Sequence, residues 1–285
     1  MSMTYTAKVA PAALALLTSL LLAPTRVHAQ NVTVKGSDTM VLLGQKWAEV
    51  YMQKNSGAKI QVTGGGSGTG IAALTNGTTD IAESSRPMKP QEVTATEGRD
   101  GGKVKEQPVA LDALSIYVGK SNPIEEISLP QLRKIYTGAI GNWKEVGGAD
   151  APINLYSREN NSGTYVFFKE HVLQNDDFDS SAQTLPGTAA VVNAIAKDAN
   201  GIGYGGIAFA EGVKRLKVKK DDLAPAVEGT LENAQSGRYG LSRELYFYFF
   251  PGKNGTADQF AAWTISPEGQ KVVEDVGYYP LPKAK

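Results

Sequence analysis

The sequence predicts an α/β protein: two α/β lobes with mixed sheets, joined by two crossing strands, with a ligand cleft between them. Three observations predict it. Strand-like and helix-like stretches alternate along the chain from residue 32 onward. Two long strands, near residues 109–118 and 243–250, bracket the middle of the sequence, so one lobe draws on both ends (30–113 plus 243–285) and the other on the middle (114–242). Three strand-to-helix turns are rich in Gly, Ser and Thr, a composition that lets backbone approach a small ligand.

The elements follow in order. Val32-Thr33-Val34 is a short β-branched run. Residues 40–55 read as a helix, with Leu43, Trp47 and Val50 on one face and Gly57 just beyond the end. Residues 59–63 are strand, 69–76 a short helix stopped by Gly77, and 80–84 a second short strand. Residues 109–118 form an apolar strand interrupted by a lone Asp112, which needs a partner if buried. Pro130 opens a helix at its first position and Gly138 ends it. Residues 153–156 are strand, 164–173 helix, 189–197 helix and 201–207 strand. The charged stretch 214–222 reads as a solvated surface turn. Residues 245–250 are strand, and 257–274 are largely helical.

Composition narrows the chemistry. The chain has 285 residues with 29 basic and 29 acidic side chains, two His and no Cys. Balanced charge removes the broad basic footprint of a nucleic-acid binder. The absence of Cys excludes disulfides, thiol nucleophiles, zinc knuckles, iron–sulfur ligation and a lipid-anchored N-terminal Cys. Two His exclude a multi-His metal site, and no cofactor is expected. Residues 1–29 read as a secretory signal peptide: Lys8 supplies positive charge, residues 9–23 an apolar run, and Val27-His28-Ala29 a small-residue cleavage pattern. The run is shorter than the ~20 residues a membrane-spanning helix needs. The expected product begins near Gln30, is exported to the periplasm or beyond, and carries no lipid anchor.

The three turns are Gly36-Ser37-Asp38-Thr39-Met40, Gly64-Gly65-Gly66-Ser67-Gly68-Thr69-Gly70 and Arg158-Glu159-Asn160-Asn161-Ser162-Gly163-Thr164. Each leads from a strand into a helix. A helix start has unpaired N–H groups and the positive end of the backbone dipole. Ser and Thr add hydroxyl donors, and Arg158 adds a charged donor fork. In open α/β sheets ligands lie beyond the carboxyl ends of the strands, so three such turns can surround one small anion. Any one of them is equally an ordinary helix cap; their recurrence is what favours binding. Ser84-Ser85-Arg86 follows another strand, where Arg86 either completes an anion cage or is a surface arginine.

Other patterns point nowhere. Gly201-Ile202-Gly203-Tyr204-Gly205-Gly206 matches the dinucleotide spacing but no amphipathic helix opens after it. Gly119-Lys120-Ser121 lacks the upstream glycine of a nucleotide phosphate loop, with Leu114 in its place. His171, inside a helix beside Phe167 and Phe168, reads as packing or surface rather than catalytic.

Taken together with Asp80-Ile-Ala-Glu-Ser-Ser-Arg86, Tyr136-Thr-Gly138, Asn142-Trp143, Pro267-Glu-Gly-Gln270 and Gly277-Tyr-Tyr-Pro-Leu281, the turns resemble those of the periplasmic phosphate-binding proteins of the Pst-type ABC transporter, two-lobed periplasmic binding proteins of type II. The matching segments keep family order over nearly the whole exported chain. The resemblance implies a non-enzymatic, monomeric receptor that binds inorganic phosphate and delivers it to the permease of an ABC transporter. It implies that Thr39 and the Met40 amide at the first helix start and Ser67 at the second hold the anion from one lobe. Arg158, Ser162, Gly163 and Thr164 then close from the other. Ser37, Asp38, Ser85 and Arg86, beside the first set, are further binding candidates read from the residues themselves. Part of the family has an aspartate where this chain has Ser85, and a hydroxyl cannot repel sulfate by charge. The alternatives are the same class of protein binding sulfate, molybdate or tungstate, and a secreted phosphatase or sensor using the same cage.

Overall fold

The computed structural model describes residues 1–4 and 31–282, so beyond residue 4 the expected signal peptide lies outside the described residues. The chain order is β1 (Asn31–Gly36), α1 (Val41–Lys54), β2 (Lys59–Thr63), α2 (Ser67–Thr75), β3 (Ile81–Ser84), α3 (Pro90–Asp100) and β4 (Lys105–Val118). Next come β5 (Glu126–Ser128), α4 (Leu129–Tyr136), β6 (Asn154–Arg158), α5 (Gly163–His171), β7 (Gln183–Leu185), α6 (Gly187–Lys197), β8 (Gly201–Gly206) and β9 (Lys214–Lys219). The chain closes with α7 (Leu231–Gln235), β10 (Ser242–Phe249), α8 (Gly255–Thr264) and α9 (Pro267–Val276).

The strands form one continuous mixed sheet in the order β2-β1-β3-β10-β4-β8-β6-β7, with β9 paired to β4 and β5. β4 is the spine. Its residues up to Ala113 pair antiparallel with β10, and from Leu114 it pairs with β8. The second crossing is made just before β10: Ser242 already lies opposite Ala113, and the Leu114 N–H donates to the Leu241 carbonyl at 2.9 Å. β10 itself therefore lies wholly beside β3 and the first part of β4, rather than running from one half to the other.

Helix α1 packs as its apolar spacing predicts. Leu43, Trp47 and Tyr51 are buried one turn apart, and Val50 lies at the margin of the same core. Trp47 meets Phe247 of β10 edge-on and donates its indole N–H to the Gly269 carbonyl at 2.8 Å, tying the C-terminal helices to the sheet. That C-terminal segment is two helices rather than one, because Ser266 caps α9 by accepting the Gly269 N–H and Pro267 follows it.

The charged stretch 214–222 is a correction. Its first part is strand β9, with Leu216 and Val218 buried while Arg215 and Lys217 are exposed. A period-two pattern was present but hidden by charge on the outward face, and pairing with β4 and β5 supplies the burial. The glycine-rich run 201–206 is the buried strand β8, and Gly203 is needed for close packing: a Cβ there would lie 2.4 Å from Ile195 and 2.8 Å from Val191 of α6. His171 stacks on Phe167 at a 4.0 Å centroid distance, in keeping with a packing role.

The start of α2 is held against β1 by another close approach. A Cβ on Gly70 would stand 2.3 Å from the Lys35 carbonyl oxygen and 2.6 Å from the Gly36 Cα, both backbone and unable to yield. Gly70→Ala is expected to destabilise the fold by about 1–3 kcal/mol, more than the ~1 kcal/mol of helix propensity it gains. Urea unfolding monitored by tryptophan fluorescence measures this; an unchanged midpoint would show that α2 can shift freely.

Candidate anion-binding site

Strand β1 delivers the chain to Gly36, whose φ of +153° and contact with the Glu83 carbonyl leave no room for a side chain. The Ser37 N–H donates to that same carbonyl at 2.9 Å, which fixes the first turn beside the end of β3. α1 then starts without a side-chain cap. α2 likewise starts without one, entered through Gly66 at a φ of +91°. At α5 the cap is Ser162, whose hydroxyl oxygen accepts the N–H groups of Thr164 at 3.2 Å and Tyr165 at 3.3 Å.

These three helix starts meet. Thr39 Oγ1 lies 2.8 Å from Thr164 Oγ1. The Asn161 carbonyl accepts the Gly68 N–H at 2.9 Å, and its side-chain amide donates to the Gly65 carbonyl at 3.0 Å and Thr69 Oγ1 at 3.1 Å. Ser37 Oγ donates to Ser85 Oγ at 2.9 Å, and the Ser85 N–H donates to Ser67 Oγ at 3.1 Å. A Cβ on Gly163 would stand 2.4 Å from Ser67 Oγ and 2.7 Å from Ser85 Oγ, so only glycine lets the α5 start reach those two serines. Ser37, Thr39, Met40, Ser67, Ser85, Ser162 and Thr164 are all buried. The structure thus gathers most of the residues named from the sequence into one place.

The hydroxyls are polarised toward donation. Ser67 and Ser162 accept backbone N–H groups, so each keeps its own proton to give. A cluster of hydroxyl donors and uncapped helix starts is what an oxyanion requires.

The charges balance locally. Arg158, 1% exposed, donates through Nη2 to Asp38 Oδ2 and through Nη1 to Thr188 Oγ1, both at 2.8 Å, and its buried Nε has no hydrogen-bond partner. Burial holds the Arg158 guanidinium below its ordinary pKa, and the neighbouring Asp38 opposes that. Asp38 is the carboxylate among the named residues, and both its oxygens are committed: Oδ1 accepts the Gly65 N–H at 2.8 Å. Arg86 departs from the cage reading. Its two terminal nitrogens form a fork to Glu92 at 2.8 and 2.7 Å, and Nη1 also reaches the Pro87 carbonyl. The guanidinium secures the loop after Ser85.

Sequence reasoning passed over four residues here. Asn161 latches the third turn to the second, and Thr188 holds Arg158. Arg243 pairs with buried Asp112 through two bonds at 3.0 and 2.8 Å, and reaches Thr164 Oγ1 at 2.9 Å. A lone Asp in an apolar strand was the available signal, since such a group needs a cation. The fourth is Glu83, fully buried beside α1, where its carboxyl occupies the space a Cβ at Gly44 would need. Neither carboxyl oxygen has a hydrogen-bond partner. Burial first, and the Asp38 charge second, push its pKa up to about 8, so the neutral form predominates at pH 7.

Residues 23–268 match the PBP superfamily domain. The phosphate-binding protein PstS of Pseudomonas aeruginosa is 38% identical over 269 residues, covering 88% of this chain and 83% of that protein. PstS of Staphylococcus epidermidis is 34% identical over 259 residues, covering 87% and 78%. The chain belongs to the PstS family of the PBP superfamily. Among solved structures, a proposed phosphate ABC transporter substrate-binding protein from Clostridium perfringens with bound phosphate superposes with a TM-score of 0.82 at 29% identity, covering 89% of this chain and all of that one. An ABC-type phosphate transport receptor from Vibrio cholerae gives 0.71 at 27% identity, with 88% of this chain covered. The α/β architecture inferred from alternating elements is that of these two-lobed proteins.

Glu83 generates a prediction about pH. The folded chain holds this proton more tightly than the unfolded chain, whose value is near 4.5. Its stabilising contribution is therefore complete below that value and is lost as pH rises through about 8. Between pH 5 and pH 9 the wild type is expected to lose on the order of a few kcal/mol more stability than Glu83→Gln. Urea titrations of both proteins at the two pH values measure the difference; parallel pH profiles would show that Glu83 does not titrate in this range.

Proposed function

We propose that this protein is the substrate-binding component of a phosphate ABC transporter: it captures inorganic phosphate between two lobes and delivers it to a membrane permease. The observation that carries this reading is the convergence of three helix starts and six buried hydroxyls, from Ser37, Thr39, Ser67, Ser85, Ser162 and Thr164, in turns that the Arg158–Asp38 pair helps join. The names of the PstS relatives and the phosphate bound in the C. perfringens structure support it. The change of partner along β4 at residues 113 and 114 supports lobes of residues 30–113 plus 243–285 and of 114–242. Binding then consists of closing one onto the other. The protein acts in the periplasm as a monomer after removal of residues 1–29, and it carries out no chemistry on the anion.

In this reading the anion is held by hydrogen bonds more than by net charge, because Asp38 offsets Arg158 and Glu83 is neutral. Hydrogen bonds involving a charged group contribute about 1.5–3 kcal/mol each. A few of them, after ordering costs, reach the roughly 8 kcal/mol of a micromolar complex. Ser85 presents a neutral hydroxyl, so rejection of sulfate rests on which hydroxyls accept the proton of hydrogen phosphate.

Calorimetry with phosphate, sulfate, molybdate and tungstate at two pH values tests the reading. Phosphate heat at micromolar protein is expected; its absence sinks the proposal. Arg158→Ala is expected to weaken phosphate binding more than tenfold, and a near-neutral result would remove Arg158 from the site. Gly163→Ala is expected to cost at least tenfold in affinity with a smaller change in thermal stability, because the added methyl obstructs closure onto Ser67 and Ser85.

A further inference from the structure

Where the two halves of the sheet meet, Asp112 of β4 and Arg243 of β10 stand directly opposite each other in register, both buried. Asp112 Oδ2 accepts from Arg243 Nε and Nη2, while Oδ1 accepts the Ile207 N–H at 3.0 Å, just after β8. Cross-strand pairing thus leaves the guanidinium little freedom, and its Cζ lies 5.2 Å from the centre of the Phe167 ring on α5. From that fixed position Nη2 donates to Thr164 Oγ1.

A guanidinium has donors and no acceptor, so in this bond the threonine oxygen can only accept. Thr164 must then direct its own proton elsewhere, and the neighbour it meets is Thr39 Oγ1, across the site. A hydroxyl that already accepts from a cation is also a stronger donor. The Asp112 carboxylate keeps the ion pair neutral overall, so this polarisation comes without a surplus buried charge.

We propose that Arg243, set by Asp112, is a positioning residue for oxyanion binding that acts through Thr164, forcing its hydroxyl to serve as a donor to the anion. This rests on the anion-binding reading above. It assigns a function in recognition to an ion pair that would otherwise be only structural, and places it on β4 and β10 beside the crossing rather than on the three turns.

The test is a cycle of variants titrated with phosphate, sulfate and molybdate. Arg243→Gln alone leaves a buried, unpaired carboxylate and risks unfolding, so the background is the neutral pair Asp112→Asn with Arg243→Gln. Thr164→Val and the neutral pair are each expected to weaken binding about tenfold. Combined, they should lose no more than Thr164→Val alone, within about twofold. Thr164→Ser, which keeps the hydroxyl, should retain near wild-type affinity and restore the full cost of neutralising the pair. Losses that multiply in the combined variant would overturn the proposal, since Arg243 would then act on the anion independently or only on the fold. If phosphate gives no heat but another oxyanion does, the phosphate reading fails while the cycle, run with that anion, still decides this one. No heat from the wild type with any of the three overturns both.

Discussion

The ion pair between Arg158 and Asp38 is the interaction on which the arrangement of the site depends. Arg158 ends β6, and Asp38 lies in the turn after β1, on the opposite side of the β4 crossing. A guanidinium that is 1% exposed needs a counter-charge, because an unpaired buried ion costs several kcal/mol. Asp38 meets that need and, through its second oxygen, also holds the Gly65 N–H of the next turn. One carboxylate therefore fixes the relative positions of all three glycine/hydroxyl turns. Asn161 reinforces the same geometry with neutral bonds, so the charged pair is supported by contacts that do not depend on ionisation.

Around this pair the protein arranges donors rather than net positive charge. Each of the three arginines buried among the described residues is matched by a carboxylate: Arg158 by Asp38, Arg243 by Asp112 and Arg86 by Glu92. The remaining carboxyl, Glu83, is held protonated by burial. What the cluster offers is the polarity of helix starts and of hydroxyls, several of which already accept a hydrogen bond. Such preorganised dipoles select for the shape and protonation of a small ion, and salt screens them far less than surface charge.

Much of this was legible in the residues. Alternating periodicity located the main strands and helices, and the turns at residues 36–40, 64–70 and 158–164 marked the places where three helix starts come together. The failures have physical causes. β9 was hidden because Arg215 and Lys217 occupy its solvent face, so the segment reads as charged although Leu216 and Val218 are buried. The C-terminal helices read as one because an amphipathic pattern continues across Ser266, where one helix has ended and the next is capped. Arg86 sits next to Ser85 in sequence, but Glu92, in the first turn of α3, takes its guanidinium.

The sequence by itself determined the class of fold, the three strand-to-helix turns and the kinds of group they offer, because these depend on local pattern and on what each side chain can donate. Only the tertiary structure decided the partners. That Asp38 offsets Arg158, that Asp112 waits on Arg243, and that Gly163 must be bare to approach Ser67 and Ser85 are all consequences of segments far apart in the chain. Burial is what makes those pairings obligatory, and burial is a property of the assembled sheet rather than of any single stretch of residues.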